Sequence, residues 1–78
     1  MSCVDFLEYI VENLVKDKES VNVSEIPGNE ESIIEIRVAD EDIGKIIGKN
    51  GSVARSLRTV VSAIGSKEQK NYTLEIID

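Results

Sequence analysis

Residues 44–58 read GKIIGKNGSVARSLR, a stretch with four basic residues, three glycines and no acid in a chain whose formal net charge is -6. All fifteen acids lie outside residues 43–67, whereas five of the nine basic residues, Lys45, Lys49, Arg55, Arg58 and Lys67, lie inside them. That segment carries +5, and the remainder, four bases against fifteen acids, carries -11. A local field of this kind draws in a polyanion, while the acidic remainder repels it elsewhere.

Within the window Gly48 and Gly51 bracket Lys49 and Asn50. Upstream, "ADED" (39–42) opens a short helix with Asp40 expected as its N-cap and acids at the positive end of the dipole, and Ile43, Ile46 and Ile47 form its inner face. Downstream, Val53, Leu57, Val60, Val61 and Ile64 make an apolar stripe over about three helical turns, with Gly65 expected as the stop. The stripe is wide enough that one residue is left over for a partner. The glycine pair thus falls where one helix ends and another begins. With no Cβ in the way, a ligand can approach the backbone closely, and the unpaired first amides of the second helix favour an anionic phosphate.

Working outward, "SIIEIRV" (32–38) alternates Ile34, Ile36 and Val38 against Ile33, Glu35 and Arg37, which predicts a strand in a half-covered sheet. "SVNVSEI" (20–26) predicts another, joined to it by the turn signal "PGNEE", so the two should be antiparallel neighbours. "NYTLEIID" (71–78) alternates Tyr72, Leu74 and Ile76 with Thr73, Glu75 and Ile77 and closes the chain as a third strand. Residues 3–16 predict an amphipathic helix, with Ser2 as cap and Cys3, Phe6, Leu7, Ile10, Val11 and Leu14 at helical spacing. The order α-β-β-α-α-β and a parallel return of the last strand predict an α+β fold, a three-stranded mixed sheet with three helices on one face.

Composition narrows the function classes. Seventy-eight residues make one domain, and a chain this short buries only about 60 to 65% of its unfolded surface, which excludes a deep cleft between two domains. There is no histidine to serve as a general base, and the phosphate-binding pattern G-x-x-x-x-G-K-[ST] does not occur around Gly44 or Gly48, so the chain does not read as an enzyme. One cysteine and no histidine leave too few ligands for zinc; Cys3 reads as a small buried thiol. The N-terminal "MSCVDFLEYIVENL" has no basic leader and is broken by Asp5, Glu8 and Glu12, so it reads as neither a signal peptide nor a membrane span. Phe6, Tyr9 and Tyr72 are the only aromatics, so any platform that stacks bases on side chains would have to be small.

The string "IIGKNGSVARSL" (46–57) resembles the Ile-Gly-x-x-Gly core of KH RNA-binding domains, with "GKNG" in the place of their GxxG loop. The helix and strand that precede the core resemble the type II arrangement of prokaryotic KH domains. At this size, "RVADEDIGKIIGKNG" (37–51) followed by "RTVV" (58–61) is similar to the small stand-alone bacterial members of the family. The resemblance covers nearly the whole chain and implies a single type II KH domain over residues 1–78.

It further implies binding of single-stranded RNA, the loop clamping about four backbone nucleotides. Carried over by position, Gly48, Lys49, Asn50 and Gly51 contact the sugar-phosphate backbone. Lys45, Arg55 and Arg58 join them by charge and nearness in sequence, and Ser52 by its place beside the loop. Ile46, Ile47, Val53 and the strand around Ile36 to Val38 are expected to line the groove for unstacked bases. Ser52 departs from the family, which often has a basic residue there, and is expected to cap the helix instead. With three or four cations in contact, the salt slope should be about -2 to -3.

The resemblance also implies a homodimer, or a heterodimer with a larger bacterial KH protein. It implies a cytoplasmic regulator or RNA chaperone acting on growth, cell shape and division, with no cofactor, no metal, no membrane and no small-molecule substrate. The competing reading is a KH-fold protein-interaction module whose RNA binding is weak or incidental, a reading that the acidic surface favours.

Overall fold

The computed structural model describes residues 1–77. Its elements run α1 (Cys3–Glu12), β1 (Asn22–Pro27), β2 (Ser32–Arg37), α2 (Ile43–Ile47), α3 (Ser52–Glu68) and β3 (Tyr72–Ile76), with short 3-10 turns at Lys18–Ser20, Asp40–Asp42 and Lys49–Gly51. The expected α+β order is therefore present.

The sheet is ordered β1-β2-β3, with β1 antiparallel to β2 and β3 parallel to it. Val23 faces Ile36 across the first pair, and Ile34 faces Leu74 across the second. The two-residue period puts Val23, Ile34, Ile36, Tyr72 and Leu74 on one face, where Cys3, Leu7 and Val11 of α1, Ile46 of α2, and Leu57 and Val61 of α3 pack on them. Leu7, Ile34, Ile36 and Ile46 have no exposed surface, each burial worth about 1.5 to 3 kcal/mol. Ser24, Ile26, Glu35, Thr73 and Glu75 alternate onto the opposite face.

Helix α1 begins as its sequence predicts, with Ser2 Oγ accepting the Asp5 amide at 3.1 Å. It stops at Glu12 rather than at residue 16. Asn13 turns its side-chain amide back onto the Tyr9 carbonyl at 2.8 Å, and the next free amides, those of Lys16 and Asp17, are taken by the distant carboxylate of Asp42. Leu14 is left 40% exposed as a result. Cys3 is buried as expected, and burial together with the nearby Glu68 and Glu25 carboxylates pushes its thiol above the ordinary range.

Helix α3 does not stop at Gly65. It continues to Glu68, where Gln69 takes a left-handed conformation (φ 59°) and the Lys70 amide bonds the Gly65 carbonyl at 2.8 Å. Gly65 instead allows the helix to close on the returning chain, since a Cβ there would lie 2.6 Å from the Lys70 carbonyl oxygen. Val60 stays half-buried and outside the packed cluster.

The short helix entry also differs from expectation. Asp40 makes no side-chain cap; it opens a 3-10 turn, and Asp42 is the residue that precedes α2. Asp42 is fully buried, and its carboxylate takes the amides at the exit of α1 and the Lys45 ammonium, while capping none of the backbone amides of α2.

Candidate nucleic-acid interface

The junction between α2 and α3 is built from three residues with positive φ: Gly48 (77°), Asn50 (57°) and Gly51 (78°). Left-handed backbone costs an ordinary residue about 1 to 2 kcal/mol, less for asparagine, which bonds locally. Gly48 is constrained twice, because a Cβ there would also sit 2.5 Å from Val53 Cγ2 and 2.8 Å from the Val53 amide nitrogen. At Gly51 an added Cβ would meet only Arg55 Nη1, at 3.2 Å.

These conformations fold the loop so that the carbonyls of Gly48, Lys49 and Asn50 are occupied. The Gly48 carbonyl accepts the Gly51 amide at 3.1 Å, and the Lys49 carbonyl accepts the Ser52 amide. The Asn50 carbonyl accepts Arg55 Nη1 at 2.8 Å. The amides of Lys49 and Asn50 precede the first bond of the turn and have no acceptor inside it. Gly51 is the N-cap of the 17-residue α3 and supplies no side-chain cap. The expected cap from Ser52 is absent: Ser52 is the first helical residue, exposed, and its carbonyl accepts the Ser56 hydroxyl at 3.0 Å.

Beside the loop runs a groove of about 310 Å³ lined by Ile43, Ile47, Gly51, Ala54, Arg55, Arg58 and Ile76. Ile47, 41% exposed, lies in its wall. Other expected lining residues are elsewhere. Ile46 and Ile36 are fully buried in the core, and Val53 and Val38 pack against it half-buried. The strand contribution comes from Ile76 of β3, not from β2. Ile43 could have been found from its four-residue spacing to Ile47, whereas Ile76 carries the core-face parity of its strand and has no signal of its own. None of the three aromatics lines the groove.

The cations divide into committed and free. Lys45 Nζ lies 3.1 Å from Asp42 Oδ1, so Lys45 is held against a buried carboxylate. The amides of Asp17 and Lys16 are the main cause that holds the Asp42 carboxyl below its usual range; burial opposes them and Lys45 adds to them. Arg55 is bonded to the loop. Lys49 and Arg58 are exposed and make no ion pair among the described residues. The structure thus brings Gly48, Lys49, Asn50, Gly51, Ser52, Ile47, Arg55 and Arg58 to one end of the molecule and turns Lys45 back toward the α1 exit.

What this arrangement offers is two amides with no acceptor in the loop, a left-handed turn without side-chain bulk at its ends, two uncommitted cations and an aliphatic groove. That set suits an anionic backbone with apolar faces attached to it. The described residues include no helix long and apolar enough to cross a membrane and no cluster of metal-ligating side chains.

The family described as KhpA/KhpB, KH domain matches residues 4–76. The chain is 45% identical over 73 residues to the RNA-binding protein KhpA of Clostridium perfringens, covering 94% of this chain and 97% of that one. It is 45% identical over 74 residues to the RNA-binding protein KhpA of Aquifex aeolicus, covering 95% and 94%. It is 46% identical over 74 residues to that of Treponema pallidum, covering 95% and 92%. Among solved structures none matches.

Proposed function

Because the chain belongs to the KhpA/KhpB family of KH domains, we propose that it binds single-stranded RNA, with the Gly48–Gly51 loop on the sugar-phosphate backbone and unstacked bases in the groove beside it. The observation that carries this reading is the loop itself, in which the carbonyls of Gly48, Lys49 and Asn50 are occupied while the amides of Lys49 and Asn50 have no acceptor in the loop and stand beside free cations. An anion meets backbone donors there and no bare carbonyl at Gly48, Lys49 or Asn50.

The whole chain works as one KH domain. It has no reaction of its own, since the groove holds two arginines and aliphatic carbons but no acid or histidine. Base selectivity is low, because an aliphatic wall offers little hydrogen-bond readout. One such domain grips only a few nucleotides, so useful affinity comes from a second copy, as a homodimer or as a pair with KhpB. Its setting is the cytoplasm, and its role is that of a post-transcriptional regulator or RNA chaperone acting on growth and division.

Filter binding of a short oligoribonucleotide by wild type and by the double variant Lys49→Asp, Asn50→Asp tests the reading. RNA affinity should collapse in the folded variant. Unchanged affinity would favour the protein-interaction module, whose support is the -11 carried outside residues 43–67.

A further inference from the structure

We infer that Arg55 is a positioning residue: it masks the Asn50 backbone carbonyl so that this carbonyl does not face RNA among the loop's amide donors, and it is not itself a phosphate contact. This rests on the RNA reading above and refines it, because charge and sequence position alone place Arg55 and Arg58 in the same role.

The geometry separates them. Arg55 Nη1 bonds the Asn50 carbonyl at 2.8 Å, from five residues further along the chain. Asn50 sits in left-handed backbone (φ 57°, ψ 25°), the step at which the loop turns into α3. The Gly48 and Lys49 carbonyls are closed by backbone amides, those of Gly51 and Ser52. A bare carbonyl beside the unpaired amides would set a partial negative charge against an approaching phosphate. The guanidinium removes that charge and fixes the peptide plane, and a planar fork is suited to such a bond. Gly51 fits the same arrangement, since a Cβ there would come within 3.2 Å of Nη1 and crowd the brace. Arg58, one turn on in α3, lines the groove and has no bonded partner among the described residues.

The two roles differ in salt dependence. Each phosphate contact on single strands contributes about 0.7 to the slope of log affinity against log salt, whereas a positioning residue lowers affinity and leaves the slope alone. The experiment compares wild type, Arg55→Met, Arg58→Met and Lys49→Met, which keep much of the stem and remove the charge. Binding of fluorescent oligouridylate is measured over a salt series, with melting temperature as the check on folding and exchange of the bonded loop amides of Gly51 and Ser52 measured without RNA.

Lys49→Met should lower the slope by about 0.7. Arg55→Met should weaken binding about tenfold at unchanged slope, speed amide exchange in the free loop and leave the melting temperature near that of wild type. Arg58→Met should leave loop exchange as it is in wild type. A slope lowered by about 0.7 in Arg55→Met, or loop exchange unchanged by it, overturns the inference. Wild type that binds no oligouridylate sinks the RNA reading instead, and loop exchange alone then decides whether Arg55 holds the loop.

Discussion

Asp42 Oδ2 lies 2.9 Å from the amide nitrogen of Asp17, and that bond ties the exit of α1 to the entry of α2. The other carboxylate oxygen takes the Lys16 amide and Lys45 Nζ, each at 3.1 Å. The buried carboxyl is held below its ordinary value of 3.8, first by the Asp17 and Lys16 amides and then by Lys45. A depressed carboxyl contributes stability that is complete above 3.8 and is lost as pH falls through the lower folded value. Asp42→Asn should therefore melt below wild type at neutral pH, and the gap should close as pH drops below 3.8. A gap that stays constant on acidification would show that the charge of Asp42 contributes nothing.

The two loop glycines should differ in sensitivity. Gly48→Ala meets both left-handed strain and the Val53 side chain and backbone, so urea denaturation should show a loss of about 2 kcal/mol or more. Gly51→Ala meets only the far end of the Arg55 side chain, at 3.2 Å, and should cost about 1 kcal/mol. Equal losses would contradict the close approach at Gly48.

Tyr72 is buried, and its hydroxyl donates to Glu68 Oε1 at 2.9 Å. Burial first, and the Glu68 carboxylate second, push the phenol from 10.0 up to about 12. A raised phenol contributes stability that is full below pH 10.0 and drains as pH rises toward 12. Wild type should lose stability across that interval, and Tyr72→Phe, which has no proton to lose, should lose less. Chemical denaturation at a series of alkaline pH values measures the difference.

The groove wall can be weakened without harming the core. Ile47 is 41% exposed, so Ile47→Ala should cost no more than about 1 kcal/mol of stability. RNA affinity should fall about fivefold. Fluorescence anisotropy on the folded variant checks this, and undiminished affinity would remove Ile47 from the base-binding surface.

Salt dependence should be shallower than the cation count in the sequence suggests. With Lys45 committed to Asp42 and Arg55 to Asn50, Lys49 and Arg58 remain, and two contacts give a slope of about -1.4. Binding should then weaken about sevenfold between 50 and 200 mM salt. A slope near -3 would mean that all four cations reach phosphate.

Elements whose signals are local were legible in the sequence. The alternation in β2 and β3 put Ile34, Ile36, Tyr72 and Leu74 on one face, as observed, because a two-residue period leaves no freedom in which face a side chain takes. The glycine pair marked the helix junction because only that backbone turns so tightly. What escaped depends on distant partners. The end of α1 is set partly by Asp42, 25 and 26 residues away, and no periodicity reports such a bond. The stop at Gln69 instead of Gly65 follows from β3 packing against α3. The groove was misplaced because Ile36 and Ile76 have the same parity, and sheet order decides which lies beside the loop.

Titration of isotopically labelled protein with a short oligoribonucleotide at low ionic strength tests the central claim directly. The amide resonances of Gly48, Lys49, Asn50 and Gly51 should move first and furthest, followed by those around Ile43, Ile47 and Ile76. If these stay in place, or if the largest movements fall on the Ser24, Glu35 and Thr73 face of the sheet, the loop does not hold RNA.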